Sequence, residues 1–237
     1  MSEQLGRIEK PEAERFRKGK KLYLVPVVYC GDEAPDEYKA KCRQYWQQVA
    51  EQLANLASKI GKVNRIYHES VFRSGEEGIR AIERLNRGGY PLAKEQWDGG
   101  ASLEAVEDED LLGEVMDWQR CVMLGFMSEK VASKVSALYV EAAKRRNEAM
   151  ASRIADSLKE DEAGLLFVQE GHSLQFPAEI EVFNIFPPAL DEIHRWLRDQ
   201  ASLEMQRSGE EASQKTERGM EEAERRPQKR ARKRPKA

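Results

Sequence analysis

The chain has 237 residues, which is long enough for one hydrophobic core with a tail but not clearly for two domains. Hydrophobic residues make up 40% of it and charged residues 34%, and no run of eighteen apolar residues occurs, so we expect no membrane span. The first residues carry no apolar segment of the kind that marks a secretory signal. The three cysteines lack C-x-x-C spacing, which argues against a disulfide framework or a zinc ribbon and favours a cytoplasmic location.

The net charge of −3 hides an asymmetry between the body of the chain and its end. Residues 225–237 contain eight Lys and Arg and no acid, and removing them leaves a net charge of −11 for residues 1–224. An acidic body is a poor nucleic-acid binder, so the basic end is the segment predicted to contact nucleic acid or another anionic partner. The alternative is that this short basic segment is only solvated.

The first half of the chain predicts a strand, a helix and a second strand. Residues 1–20 are polar and charged, which is typical of a flexible arm, and residues 22–29 are nearly all apolar, as in a strand covered on both faces. Over residues 35–60 apolar side chains recur at three- and four-residue steps, which predicts an amphipathic helix that ends at Gly61. Residues 63–67 form the next strand, and the three elements predict a βαβ unit with parallel strands.

Helices are predicted for most of residues 75–158. A short helix over 75–85 is followed by a glycine-rich turn at 88–91, and a long helix covers 128–158. The residues predicted to form the buried face of the long helix are Val131, Val135, Leu138, Ala142, Met150, Ile154 and Leu158.

The remaining elements complete an α/β pattern. Residues 164–168 read as a buried strand, residues 180–186 as another, and a helix follows to about residue 200. Residues 201–237 lose aromatic and β-branched side chains, which predicts a charged tail that is disordered or marginally helical. We therefore predict a single α/β domain over residues 21–200, with a central, largely parallel sheet flanked by helices.

Two of the three histidines stand beside a glutamate at a predicted strand end, as His68–Glu69 and as Glu170 with His172. The carboxyl ends of parallel strands share one rim, where α/β sheets bind ligands, so the two pairs are expected to meet in one cleft if their strands are neighbours. Imidazole and carboxylate suit either a divalent metal such as Zn, Mn or Co or a general acid–base pair. The alternative is that these polar residues merely end their strands at the surface.

Common catalytic and nucleotide-binding motifs are missing from the sequence. The sequence contains no G-x-G-x-x-G, P-loop, G-x-S-x-G or H-E-x-x-H pattern, so no nucleotide site, nucleophile elbow or zincin helix is predicted. His194 falls within a predicted amphipathic helix and is interpreted as a helix-surface residue.

Four features occur in a fixed order along the chain: the strand over 22–29, a strand ending at Glu69, a helix with the run R-N-E-A-M at 146–150, and a strand ending in E-G-H at 170–172. In this order the chain resembles the TraB/Tiki/ChaN (erythromycin-esterase-like) superfamily, as a divergent member, over residues 21–199. Members of that superfamily share a strand ending G-T-x-H, a glutamate after the next strand, an R-[ND]-x-x-M helix and a strand ending G-x-G-H.

The resemblance implies an α/β fold with a central sheet, in a superfamily that includes metal-dependent peptidases, esterases and a haem-binding group. Glu69, Arg146 and His172 are the positions that match its motifs. Tyr29 stands where the G-T-x-H histidine is expected, so either His68 takes over that role or the metal chemistry is altered or lost.

These observations support a first hypothesis of a cytoplasmic, hydrolase-like protein that cleaves an amide or ester at the sheet rim, with assistance from a metal. In this hypothesis Glu69 and Glu170 are metal ligands or bases, and His68 and His172 are metal ligands or proton shuttles. Arg146 binds an anionic group. The three residues predicted as the metal ligands are His68, His172 and Glu69. The second hypothesis is a non-enzymatic protein that makes protein contacts through its acidic body and nucleic-acid contacts through its basic tail. A purely structural role is the third.

Overall fold

The computed structural model describes residues 16–206. Most of the predicted N-terminal arm, residues 1–15, and most of the predicted tail, residues 207–237, lie outside the described residues. The predicted basic contact segment at 225–237 lies outside them as well.

The described chain alternates strands and helices, and the predicted α/β class with a parallel sheet flanked by helices is confirmed. The strands are β1 (Lys20–Pro26), β2 (Val63–His68), β3 (Ser102–Leu103), β4 (Ala163–Val168) and β5 (Ile180–Asn184). The helices are α1 (Asp36–Ile60), α2 (Gly75–Leu85), α3 (Tyr90–Asp98), α4 (Glu109–Leu124), α5 (Glu129–Ser157) and α6 (188–206). Among these described helices, none combines the length and the apolar character that crossing a bilayer requires.

The five strands form one sheet in the order β3-β2-β4-β1-β5, and every neighbouring pair is parallel. β4 therefore lies between β1 and β2, although it follows both of them in the chain. Because all strands point the same way, the residues that follow β1, β2, β4 and β5 gather at one edge of the sheet.

The two faces of the sheet are covered by different helices. On one face, Leu24 of β1 and Leu166 of β4 belong to a buried apolar cluster with Met150 and Ile154 of α5. On the other face, the ring of Phe167 lies 6.3 Å from the ring of Trp46 on α1. Successive side chains of a strand point to opposite faces, so each strand end presents one residue to α5 and the next one to α1.

The close packing of the Tyr67 ring explains why a glycine, Gly164, lies inside the buried strand β4. A Cβ atom at this position would stand 2.7 Å from the Tyr67 ring and 2.9 Å from a methyl group of Leu22. The missing side chain leaves space for the Tyr67 ring, whose hydroxyl lies 3.0 Å from the Ser157 hydroxyl on α5.

Three local predictions differ from the structure. Residues 88–91 are not wholly a turn, because α3 begins at Tyr90 with a proline in its first turn, where the missing N–H has no intrahelical partner. The two-residue strand β3 was not predicted, being too short to show a pattern. Val131 and Leu138, predicted to be buried, are exposed, whereas the later positions Met150 and Ile154 are buried as predicted.

The internal contacts divide the chain into two units at residue 189. The first unit contains all five strands and helices α1 to α5. The second is described over residues 190–206, which are helical. The domain boundaries predicted at residues 20 and 200 stay predictions.

Candidate functional site

A small pocket of about 180 Å³ lies at the carboxyl ends of β2 and β4, under helix α5. It lies entirely within the first unit of the chain. Its polar lining comes from the residue after β2, from the middle of α5 and from the loop after β4: Glu69, Tyr139, Arg146, Asn147, Gln169, His172 and Ser173. We call it the charged pocket.

Arg146 is the central cation of the charged pocket. Its Nε donates to Glu107 Oε1 at 2.9 Å, and its Nη2 makes a second contact with Glu107 Oε2. The same Nη2 lies 3.9 Å from Glu69 Oε2. The side chains are 16% exposed for Arg146, 10% for Glu69 and 1% for Glu107, so two buried carboxylates share one guanidinium.

Glu107 is held in place by its own neighbours as well as by Arg146. The backbone N–H of Ser70 donates to Glu107 Oε2 at 3.1 Å. Arg153, two helical turns beyond Arg146 on α5, donates to the backbone carbonyl of Glu107 at 2.7 Å and to Asp108 Oδ2 at 2.6 Å. Seven residues are close to two turns of helix, so both arginines lie on the same side of α5 and fix this segment there.

Glu69 is the carboxyl group of the pocket with the altered acidity. Burial raises its pKa above the ordinary value, and the negative charge of Glu107 raises it further. A backbone hydrogen bond from Gln169 and the charge of Arg146 oppose this shift without cancelling it. Glu69 is therefore a stronger base than an exposed glutamate, and titratable groups with shifted pKa values in a cleft are typical of functional sites.

His172 lies between the charged pocket and a larger cleft, and it lines both. The turn that carries it follows β4 and contains Gly171, whose φ of 78° lies in the left-handed region that glycine adopts without strain. The backbone N–H of Leu174 donates to His172 Nδ1 at 3.2 Å, so the neutral ring carries its proton on Nε2. Partial burial lowers the pKa of this imidazole, which keeps it neutral near pH 7.

His68 does not enter the charged pocket. It is buried on the α1 side of the sheet, where its ring stacks on Phe167 with a centroid separation of 5.6 Å. Its Nδ1 donates to the backbone carbonyl of Glu69, and Asn86 Nδ2 lies 3.5 Å from its Nε2. Burial lowers its pKa to about 4, so the His68 ring is neutral at pH 7. Its interactions are with buried neighbours in the core of the fold.

Glu170 and Tyr29 also lie apart from the charged pocket. Glu170 is exposed and lines the larger cleft. Tyr29, at the position where the superfamily motif has histidine, is more than half exposed and lines a separate hollow with Asn86 and Arg87. Of the predicted site residues, the structure thus brings together Glu69, Arg146 and His172.

The predicted metal ligands do not form a set. Over residues 16–206, no group of three or more His, Cys, Asp or Glu side chains is placed to hold a metal ion. His68 lies on the opposite side of the sheet from Glu69, which removes one of the three predicted ligands. The side chains present therefore do not fit the Zn, Mn or Co site expected from the sequence.

Glu107, the buried ion-pair partner of Arg146, is a residue that sequence reasoning missed. It belongs to an acidic run, residues 107–110, which reads as the start of a helix. Asp108 does serve that purpose, since its side chain accepts from two backbone N–H groups of α4. The spacing of Arg146 and Arg153 places both side chains on one side of α5 but does not reveal which carboxylate faces them.

No protein-family model, no curated protein and no solved structure matches the chain. The resemblance to the TraB/Tiki/ChaN superfamily therefore stays a prediction that rests on the matching positions Glu69, Arg146 and His172.

Proposed function

We propose that the protein is a hydrolase that cleaves an ester or amide at the charged pocket. The observation that carries the proposal is the meeting of three groups in one pocket: a buried carboxyl group with a raised pKa, a neutral imidazole and a guanidinium. Each has a role in acyl transfer to water, and none of them depends on a metal ligand set.

In this mechanism Glu69 is the general base. Its carboxylate takes a proton from a water molecule as the water oxygen forms a bond to the substrate carbonyl carbon. The Nε2–H of His172 and the guanidinium of Arg146 donate hydrogen bonds to the carbonyl oxygen, on which negative charge develops. When the bond to the leaving alcohol or amine breaks, Glu69 returns the proton to the leaving group.

The test is hydrolysis of chromogenic esters and anilides by the purified chain and by a Glu69→Gln variant. We expect a loss of about 10²- to 10⁴-fold in kcat for the variant, since the amide cannot accept the proton. Glu181→Gln is the matched control, because Glu181 is an exposed residue of β5, and it should keep the full rate. Equal rates for Glu69→Gln and the unchanged protein would refute the role of Glu69.

The dependence of the rate on pH gives a second check. The raised pKa of Glu69 predicts that kcat/KM rises with pH through that pKa, as the carboxylate forms. The lowered pKa of His172 places its protonation at more acid pH than for an exposed histidine, so neutral pH leaves its Nε2–H in place. A rate that falls with rising pH over this range would contradict the assignment of Glu69 as base.

The basic end of the chain supports a second candidate function, binding of RNA or another anionic polymer. The eight Lys and Arg of residues 225–237 carry this candidate. Deleting these residues should remove binding to a mixed-sequence RNA together with its steep salt dependence. Deletion of residues 207–219, an equally long segment with balanced charge, is the control, and equal RNA binding by the two deletions would exclude the basic end.

We also infer a cytoplasmic location from the cysteines. Cys30, Cys42 and Cys121 are all free thiols in the structure, which suits a reducing compartment. Alkylation of the protein in freshly lysed cells, followed by mass spectrometry, should find all three thiols reduced.

A further inference from the structure

A second cavity, of about 490 Å³, adjoins the charged pocket at the carboxyl ends of β1, β4 and β5. Its volume lies in the range of small-molecule sites. Ten of its fifteen lining residues have apolar side chains, and they come from the strand ends and from the loop after β4, among them Leu24, Val168, Phe176, Val182 and Phe186. We call it the apolar cleft.

The walls of the cleft follow from the register of the sheet. Leu24 pairs with Asn184 and Leu22 pairs with Val182, so Leu24, Val182 and Asn184 all point to the face on which α5 packs. Val182 is 38% exposed and Phe186 is 56% exposed, so part of the apolar wall is open to water. Such an opening next to a polar pocket is typical of a ligand site, because a ligand removes this apolar surface from water.

The cleft and the charged pocket share one border. Val168, Gln169, Gly171, His172 and Leu174 line both of them. A molecule that fills the cleft therefore ends beside the imidazole of His172. Its apolar part and its polar group are thus recognised by different walls, which is how small-molecule sites fix orientation.

The charges around the two cavities select against anions. Among the residues that the structure describes, Arg146 is the one Lys or Arg side chain that lines either cavity, and Glu107 already pairs with it. Glu69 lines the charged pocket and Glu170 lines the cleft. A carboxylate or phosphate ligand would meet this excess of negative charge, whereas an uncharged ligand would not.

We propose that the apolar cleft binds the apolar acyl group of an uncharged ester or amide, with the carbonyl group placed beside His172. The identity of the group as an acyl chain rests on the proposed hydrolase function. The binding of an uncharged apolar chain in the cleft rests on its lining and its charge alone.

The first experiment measures kcat/KM for p-nitrophenyl esters from acetyl to octanoyl. Burial of the longer chain should raise kcat/KM by at least about 10²-fold over the acetyl ester, since each buried methylene contributes roughly 0.8 kcal/mol. Val182→Asp and Phe186→Asp should each abolish this preference, so that the octanoyl and acetyl esters react with similar kcat/KM, because both side chains lie at the open wall of the cleft. Leu203→Asp, an exposed apolar position on α6, is the matched control and should keep the preference.

The second experiment measures binding without turnover, by calorimetry with octanamide and with octanoate. Octanamide should bind the unchanged protein and the Glu69→Gln variant with the same affinity. Its affinity for the Phe186→Asp variant should be at least about 10-fold lower. Octanoate should bind the unchanged protein at least about 10-fold more weakly than octanamide, because of the negative charge around the cleft. Two different substitutions at the open wall keep the comparison valid if one of them fails to fold.

The outcomes separate the two proposals. Octanamide binding that is lost in Phe186→Asp, without hydrolysis of any ester, would support the cleft and overturn the hydrolase function. Hydrolysis of the acetyl ester without a chain-length preference and without octanamide binding would overturn the cleft and leave the hydrolase function standing. Tighter binding of octanoate than of octanamide would overturn the selection for uncharged ligands.

Discussion

The two histidine–glutamate pairs stand at the ends of neighbouring strands, yet the residue that reaches the charged pocket differs between them. After β2 it is the glutamate, Glu69, while His68 is buried on the α1 side of the sheet. After β4 it is the histidine, His172, while Glu170 is exposed on the larger cleft. The pocket therefore receives a glutamate from the first pair and a histidine from the second.

Strand geometry explains the first pair and loop geometry the second. His68 is the last residue of β2 and Glu69 the next one, so they point to opposite faces. Glu170 and His172 lie beyond β4 in a turn, where Gly171 at positive φ reverses the chain and returns His172 toward α5. Two residues that are adjacent in the sequence can therefore lie on opposite faces of the sheet, one buried in the core and the other lining a pocket.

The largest effect expected from this contrast is acid sensitivity due to His68. Its folded pKa of about 4 lies below the ordinary 6.5, so the native state binds fewer protons than the unfolded state between these values. Stability is therefore full above pH 6.5 and falls with pH toward 4, by about 3 kcal/mol in total. Urea unfolding over this range should show the loss, His68→Asn should lack it, and His172→Asn should keep most of it.

A second contrast concerns the two imidazoles as packing groups. His68→Ala leaves the Glu69 carbonyl and the Asn86 amide without their partner and opens a cavity next to Phe167, so the free energy of unfolding should fall by about 2–3 kcal/mol. His172→Ala removes one hydrogen bond at a half-buried position and should cost less than about 1 kcal/mol. Chemical denaturation of both variants checks the order, and equal losses would contradict it.

The charged pocket itself should gain nothing in stability from an ionised Glu69. Because the folded pKa of Glu69 is raised, its contribution to stability is full below the ordinary pKa and is lost as the pH rises through the folded value. Glu69→Gln should therefore leave stability at neutral pH unchanged or higher, within about 1 kcal/mol, while it lowers activity. A clear drop in Tm together with the loss of activity would indicate a structural carboxylate instead.

The smallest effect is expected at Glu170. Its side chain is exposed and lies on the larger cleft, away from Arg146, so Glu170→Gln should change the rate on uncharged esters by less than about twofold. The same assay applied to Glu69→Gln is the comparison. A loss at Glu170 as large as that at Glu69 would return Glu170 to the catalytic role first predicted for it.

The long helix α5 shows where sequence periodicity stops being informative. Its apolar positions recur correctly over the whole length, but Val131 and Leu138 are exposed and Ile154 is buried. A helix of 29 residues is about 44 Å long, whereas a strand of six residues spans about 20 Å. The sheet can therefore cover only part of α5, and the spacing of apolar residues does not reveal which part.

The amino-acid sequence by itself determined the order of the four longer strands and of the long helices, the parallel sheet and the rim on which Glu69 and His172 lie, because hydrophobic periodicity and short connections depend on local sequence. Only the tertiary structure decided which of these groups share a pocket. The face of each strand end, the insertion of β4 between β1 and β2, and the pairing of Arg146 with Glu107 from a distant loop all depend on contacts between segments far apart in the chain. Hydrophobic periodicity does not predict such long-range contacts.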